Sequence, residues 1–133
     1  MPMVLSVPSH HKILINGALL EVSEKRATFA VLSPDTRVLH GPMVLSDDAL
    51  TTPIRRLYYA VQHAYAGLLE ERAQNLERAS ALFIELRRDA SFELAHELDT
   101  AKRLVESGGF YSALKVLRDL ISEEDKSSDK IKE

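Results

Sequence analysis

The chain has 133 residues, with 17 Lys and Arg against 20 Asp and Glu, for a formal charge of −3. It contains no Cys, which excludes disulfide scaffolds, thiolate metal sites and Cys nucleophiles. The near-neutral charge argues against indiscriminate nucleic-acid binding, which a strong basic excess usually marks. No apolar run reaches the roughly 18–20 residues of a membrane span, and residues 1–7 are too short for a secretory signal, so a cytoplasmic location is expected.

Short apolar runs separated by Pro and Gly predict four or five strands in the first third of the chain. Asn16-Gly17 lies between two apolar runs, which is the strongest short signal for a hairpin because both turn positions need positive φ. Further strands are predicted at 3–7, 28–32, 37–39 and 43–45. Together they indicate a small antiparallel sheet or a partial barrel.

From Ser46 onward the apolar spacing becomes that of helices. Thr51-Thr52-Pro53 predicts a capped helix start, followed by an apolar stripe that runs to Leu68. A second helix is predicted over about 70–90. Ser91 is expected to cap a third helix, and Gly108-Gly109 to end it before a fourth helix begins near Phe110.

The predicted fold is α+β, with a small N-terminal antiparallel β-sheet followed by a C-terminal bundle of three to four α-helices. The expected divisions are an N-terminal β layer at 1–47, a helical region at 48–122 and a charged, disordered tail at 123–133. Because seven of the eight aromatic residues follow the β layer, we expect the sheet to lean on the helices or on a second subunit.

No catalytic pattern stands out in the sequence. Gly-rich phosphate loops and the G-x-S-x-G elbow are both missing. His10 and His11 are adjacent and would point apart in a strand, and Glu93-x-x-His96 lacks the second such pair that a di-iron bundle needs. The chain is therefore not expected to be an enzyme, or to hold a metal, a cofactor or a small-molecule substrate.

Basic side chains at loop ends and on the first helix give a candidate RNA-binding set. Arg and Tyr on one exposed helix face can contact phosphate and stack on an unpaired base. Gln62 is expected on that face as well, opposite the buried stripe. The alternative is that these charges only solubilise the surface. The candidate residues are Lys12, Lys25, Arg26, Arg37, Arg55, Arg56 and Tyr59.

The order of motifs resembles the FlbT family of flagellum biosynthesis repressors. The resemblance covers most of residues 3–124. It rests on Lys12-Ile13-Leu14-Ile15-Asn16-Gly17-Ala18, Lys25-Arg26-Ala27, Val38-Leu39, Ala49-Leu50-Thr51-Thr52-Pro53-Ile54-Arg55-Arg56-Leu57-Tyr58-Tyr59, Gln62 and Tyr111-x-Ala113-Leu114-Lys115-x-Leu117-Arg118.

The resemblance implies a cytoplasmic post-transcriptional regulator that associates with the 5′ untranslated leader of flagellin mRNA and represses its translation or promotes its decay. Some members of the family act positively. It also implies a link with flagellin and with the regulator FlaF, but no residue-level RNA site.

Two alternatives remain open. The chain could be a protein-binding adaptor or a chaperone-like partner of flagellin or FlaF, with only indirect effects on mRNA; the acidic helical half favours this. The strand order is also similar, more weakly, to the CsrA translational regulators, whose dimers interleave strands. That similarity would imply a homo-oligomer.

Overall fold

The computed structural model describes the backbone of residues 3–132 and the side chains of residues 3–127. Five strands precede four α-helices, which confirms the predicted α+β class. The strands are β1 Met3–Val7, β2 Lys12–Ile15, β3 Ala18–Glu21, β4 Ala27–Val31 and β5 Val38–Gly41. The helices are α1 Pro53–Ala66, α2 Arg72–Arg88, α3 Phe92–Glu106 and α4 Phe110–Lys132.

The strands form two antiparallel sheets, one of β1 and β4 and one in the order β3-β2-β5. The predicted hairpin is confirmed: Ile15 lies opposite Ala18, and the turn between them has φ of 46° at Asn16 and 91° at Gly17. These positive φ values are those of a tight two-residue hairpin turn. Both sheets are antiparallel, as predicted, and the five strands are divided between them.

Strand β2 connects two hydrophobic cores, because successive side chains point to opposite faces of a strand. Ile13 is fully buried in a small core between the sheets, together with Leu5, Val7 and Val22. The next residue, Leu14, is also fully buried but belongs to the larger core shared with the helices. The predicted dependence of the sheet on the helices is therefore observed at Leu14.

The predicted strand at 43–45 is wrong, because the buried side chain of Gln62 takes the hydrogen bonds that a strand neighbour would take. The N–H of Leu45 donates to Gln62 Oε1 over 2.8 Å, and Gln62 Nε2 donates to the Leu45 carbonyl oxygen over 2.8 Å. The prediction of Gln62 on the exposed face of its helix is wrong for the same reason, since this side chain is fully buried.

Helix α1 begins as predicted and ends slightly earlier. Pro53 is its first residue, and Thr52 Oγ1 accepts a hydrogen bond from the N–H of Arg55 over 3.3 Å, which caps the helix. The buried face includes Ile54, Leu57 and Val61. The stripe stops at Ala66, and Leu68, which was predicted to be part of it, is 42% exposed.

The remaining helices lie close to their predicted positions. Ser91 Oγ accepts from the N–H of Leu94 over 3.1 Å and caps α3. At the end of α3, Gly108 adopts φ 86°, and the N–H of Gly109 donates to the Leu104 carbonyl over 2.7 Å. This is the usual glycine-terminated helix end. Helix α1 packs against α2 and α4, and α3 packs against α4.

The structure differs from the sequence prediction at the C-terminal end. Helix α4 continues to Lys132, through most of the segment at 123–133 that was expected to be disordered. The guanidinium of Arg55 holds this part of α4 against the start of α1, with N···O distances of 3.0 Å to Glu124 and 2.8 Å to Asp125. Within residues 3–132, none of the helices combines the length and hydropathy that a bilayer span needs.

Candidate nucleic-acid interface

Three of the sequence-predicted RNA contacts lie in the β layer. Lys12 Nζ is 3.6 Å from Glu21 Oε1 across the β2–β3 pair. Arg26 Nη1 donates to Ser6 Oγ over 3.1 Å. Lys25 is exposed in the turn that leads into β4. Lys25 and Arg26 therefore lie beside the outer β1–β4 sheet.

Arg37 lies at the junction between the β layer and the helices and is engaged there. Its Nη1 donates to the carbonyl oxygen of Gly67 over 2.7 Å. Its N–H donates to Asn16 Oδ1 over 2.9 Å, and its carbonyl oxygen accepts from the N–H of Asn16 over 3.1 Å. This side chain thus has an internal structural role.

The basic residues at the start of α1 differ in their exposure. Arg55 is only 18% exposed and is held by two carboxylates of α4. Its neighbour Arg56 is exposed, and its Nη1 lies 3.4 Å from the Leu50 carbonyl oxygen. Arg55 therefore has little free surface for a phosphate, whereas Arg56 has more.

Tyr59 is half-buried beside His63, with ring centroids 4.2 Å apart and planes tilted by 39°. Partial burial raises the pKa of the Tyr59 hydroxyl, with smaller contributions from nearby charges. One part of this ring is already covered by the imidazole of His63. A base would have only the remaining part of the ring on which to stack.

The structure does not bring the whole predicted set to one surface. Arg55 is in the first turn of α1, whereas Arg37 binds Gly67, the residue that follows the last turn. At 1.5 Å of rise per residue, the twelve residues from 55 to 67 span roughly 18 Å along the helix axis. Arg37 and Arg55 thus lie at opposite ends of α1.

A second cluster of basic and aromatic side chains lies on α4. Tyr111, Lys115 and Arg118 are spaced i, i+4, i+7, which places them on one face of the helix. Lys115 Nζ lies 4.9 Å from the centroid of the Tyr111 ring. Tyr111 is 48% exposed, and its ring is 6.2 Å from that of Tyr65 on α1. We call this the α4 basic face, defined by Tyr111, Lys115 and Arg118.

The end of β5 borders the α4 basic face. His40 and Gly41 line a depression between the two, together with Met43 and Tyr58. Its volume is about 40 Å³, which suits a few water molecules rather than a base. Burial raises the pKa of Tyr58 to about 12, so its hydroxyl stays neutral at physiological pH.

The α4 basic face combines free positive charge with an exposed aromatic ring. Within residues 3–127, neither Lys115 nor Arg118 lies within ion-pair distance of a carboxylate. Unpaired cations beside a partly exposed tyrosine can hold a phosphate while the ring contacts an unstacked base. Among the described side chains, no three His, Asp or Glu residues gather closely enough to bind a metal ion.

Tyr111, Lys115 and Arg118 are not in the RNA-binding set predicted from the sequence, although they occur in one of the motifs that carry the family resemblance. The i, i+4, i+7 spacing was a usable signal, since it predicts a shared helix face. What the spacing could not show is that the end of β5, with His40, borders this face. That neighbourhood depends on how α4 packs against α1.

The family model and the relatives that match this chain carry the same family name. A family model described as "Flagellar protein FlbT" matches residues 3–127. A protein of Agrobacterium fabrum named "Probable flagellum biosynthesis repressor protein FlbT" is 36% identical over 123 residues, covering 92% of this chain and 80% of that protein. Proteins of Brucella ovis and Brucella melitensis with the same name are each 33% identical over 119 residues, covering 86% of this chain and 74% of theirs. No solved structure matches the chain.

Proposed function

Because the chain belongs to the FlbT family of flagellar proteins, we propose that it regulates flagellin synthesis after transcription, by associating with the 5′ untranslated leader of flagellin mRNA. Binding there would repress translation or promote decay of the message. The names of the relatives support a regulatory role in flagellum biosynthesis, since they describe repressors and not enzymes.

The observation that carries the RNA proposal is the α4 basic face. Lys115 and Arg118 would contact phosphates, and the exposed part of the Tyr111 ring would contact an unstacked base. RNA recognition of this kind targets single-stranded loops and ends, where bases can leave the stack. A leader sequence that is open near the ribosome start region would present such bases.

The charge of the chain limits the size of this contact. With a formal charge of −3, the chain as a whole does not attract phosphate, so binding depends on a local patch. Two phosphate contacts on single-stranded RNA give a salt slope of about −1.4 in log K against log salt. An additional contact from Arg56, which the sequence also suggests, would make this slope steeper.

A filter-binding titration tests the proposal directly. The purified full chain is titrated against flagellin leader RNA over a series of salt concentrations, with an RNA of equal length and shuffled sequence as the control. We expect tighter binding to the leader and a shallow negative salt slope. No leader binding at low salt, together with tight binding to flagellin protein, would contradict the proposal and favour the adaptor alternative.

A further inference from the structure

A cleft of about 570 Å³ opens where α3 begins and α4 runs past it. The two helices form a hairpin around Gly108-Gly109, so the start of α3 lies beside the later part of α4. Helix α3 has 15 residues and begins at Phe92, whereas α4 has 23 residues. The later part of α4 therefore extends beyond the start of α3, and the cleft lies beside this extension.

The cleft has an apolar floor and an acidic rim. Ile54, Leu94 and Leu120 supply the floor, one from each of three helices. The polar lining residues are Ser91, Glu93, Glu97, Glu123, Glu124 and Ser127. We call this feature the acidic cleft, defined by these nine residues.

Phe92 is an exposed aromatic residue at the start of α3, next in sequence to residues that line the acidic cleft. It lies between two lining residues, Ser91 and Glu93, and is 88% exposed. A single exposed apolar residue is ordinary, but a nearly bare aromatic ring next to an apolar groove is typical of a protein contact.

The ion pairs around the acidic cleft leave its rim negative. Arg55 neutralises Glu124 from the side of α1, and Lys126 lies 3.9 Å from Glu123 on the same helix. Among the described side chains, neither Glu93 nor Glu97 has a cation within ion-pair distance. Within the side chains that the structure describes, those two carboxylates are unpaired, which favours a positively charged partner.

We propose that the acidic cleft binds an amphipathic α-helix of a partner protein, with apolar residues at i, i+3 and i+4 flanked by Lys or Arg. A helix laid in an apolar groove is a common mode of recognition. The rim gives charge complementarity to basic flanks and repels nucleic acid. The lining segments 91–97 and 120–127 each extend over roughly 10 Å, which matches about two turns of a partner helix. This proposal does not depend on RNA binding by the α4 basic face.

A synthetic helix provides the probe for this proposal. A fluorescein-labelled peptide of Leu and Lys, with Leu at i, i+3 and i+4, is titrated with the full chain and followed by fluorescence anisotropy. A peptide of the same composition with the Leu stripe broken is the control. We expect the striped peptide to bind at least about tenfold more tightly, because only it offers a continuous apolar face.

Two charge-reversal variants test the location of the bound helix. Glu93→Lys with Glu97→Lys reverses the free rim charges, and Glu77→Lys with Glu85→Lys makes the same change in charge on the exposed surface of α2. We expect about a tenfold loss of peptide affinity for the first pair and none for the second. If the rim variant does not fold, Phe92→Ser removes only an exposed side chain and is expected to weaken binding severalfold.

Equal peptide affinity of the wild type, the rim variant and Phe92→Ser would overturn the proposal. Hydrogen exchange should show peptide-induced protection in 91–97 and 120–127, and protection confined to other segments would also overturn it. Light scattering tests whether a second copy of this chain occupies the acidic cleft. A wild-type dimer that the rim variant converts to monomer would assign the cleft to that second copy, against the proposal.

Discussion

The N–H of Gly17 donates to the carbonyl oxygen of Ala66 over 2.8 Å, which fastens the tip of the first hairpin to the last turn of α1. Arg37 joins the same two parts of the chain. Its N–H donates to Asn16 Oδ1 in the hairpin turn, and its side chain donates to the carbonyl oxygen of Gly67 just after α1. The β layer and the helices are thus joined by specific hydrogen bonds at the end of α1 as well as by the apolar contacts of Leu14.

Substitution of Gly17 by Ala should destabilise this junction strongly. Its φ of 91° disfavours any side chain, and an added Cβ would lie 2.7 Å from Leu68 Cγ and 3.0 Å from the Leu68 nitrogen. Gly108→Ala is the matched control, because Gly108 has a similar φ of 86° but open space around it. Urea unfolding should show a loss of about 1–2 kcal/mol for Gly108→Ala and a clearly larger one for Gly17→Ala. Equal losses would mean that the turn is not docked on Leu68.

Arg37→Ala should lower stability without lowering RNA affinity. The lost hydrogen bond joins a charged donor to a part-buried carbonyl, which is worth about 1.5–3 kcal/mol. Lys25→Ala, at an exposed position, should change the unfolding free energy by less than about 0.5 kcal/mol. Thermal melts and leader-RNA titrations of both variants make the comparison. A drop in affinity and salt slope for Arg37→Ala, with an unchanged melting temperature, would return Arg37 to the RNA-binding set.

Two buried amides should respond differently to replacement by Leu. Gln62→Leu leaves the N–H and the carbonyl of Leu45 without their partner, at a cost of about 2–4 kcal/mol. Asn75 is also buried, but its Nδ2 has no hydrogen-bond partner in the described structure. Asn75→Leu should therefore be neutral or stabilising. Chemical denaturation of both variants measures the contrast, and a similar cost for the two would contradict it.

Tyr58 should make the fold sensitive to alkaline pH. Burial raises its pKa from 10.0 to about 12 in the folded chain, so the folded state keeps the proton that the unfolded state loses first. Stability from this group is full below pH 10 and falls as pH rises towards 12, by roughly 1.4 kcal/mol at pH 11. Tyr58→Phe should lose stability less steeply between pH 10 and 11, as followed by urea unfolding. Parallel pH profiles for the two proteins would refute the assignment.

The sequence predicted the elements with strong local signals. Asn16-Gly17, Thr52-Pro53, Ser91 and Gly108 each mark an element boundary through backbone chemistry that acts within a few residues, and the structure has a boundary at each. The failures are long-range. Gln62 is a polar residue, yet its buried side chain makes the two hydrogen bonds to the Leu45 backbone that a neighbouring strand would make. Only tertiary packing determines this.

The candidate binding site also has features that local sequence predicts and features that depend on long-range contacts. Helical spacing is sufficient to place Tyr111, Lys115 and Arg118 on one face. Sequence could not show that Arg55 is paired with Glu124 and Asp125, since about seventy residues separate them. Those carboxylates lie in a segment whose composition predicted disorder. In the structure this segment is part of α4, and its carboxylates contact Arg55 of α1.

The most direct measurement compares leader-RNA affinity across three double variants with identical changes in charge: Lys115→Glu with Arg118→Glu, Lys25→Glu with Arg26→Glu, and Lys102→Glu with Arg103→Glu. All three are first checked for an unchanged melting temperature. We predict at least about a tenfold loss of affinity and a salt slope reduced by about 1.4 for the first variant only. Full affinity in the first variant, or a loss confined to Lys25 and Arg26, would contradict the placement of RNA on the α4 basic face.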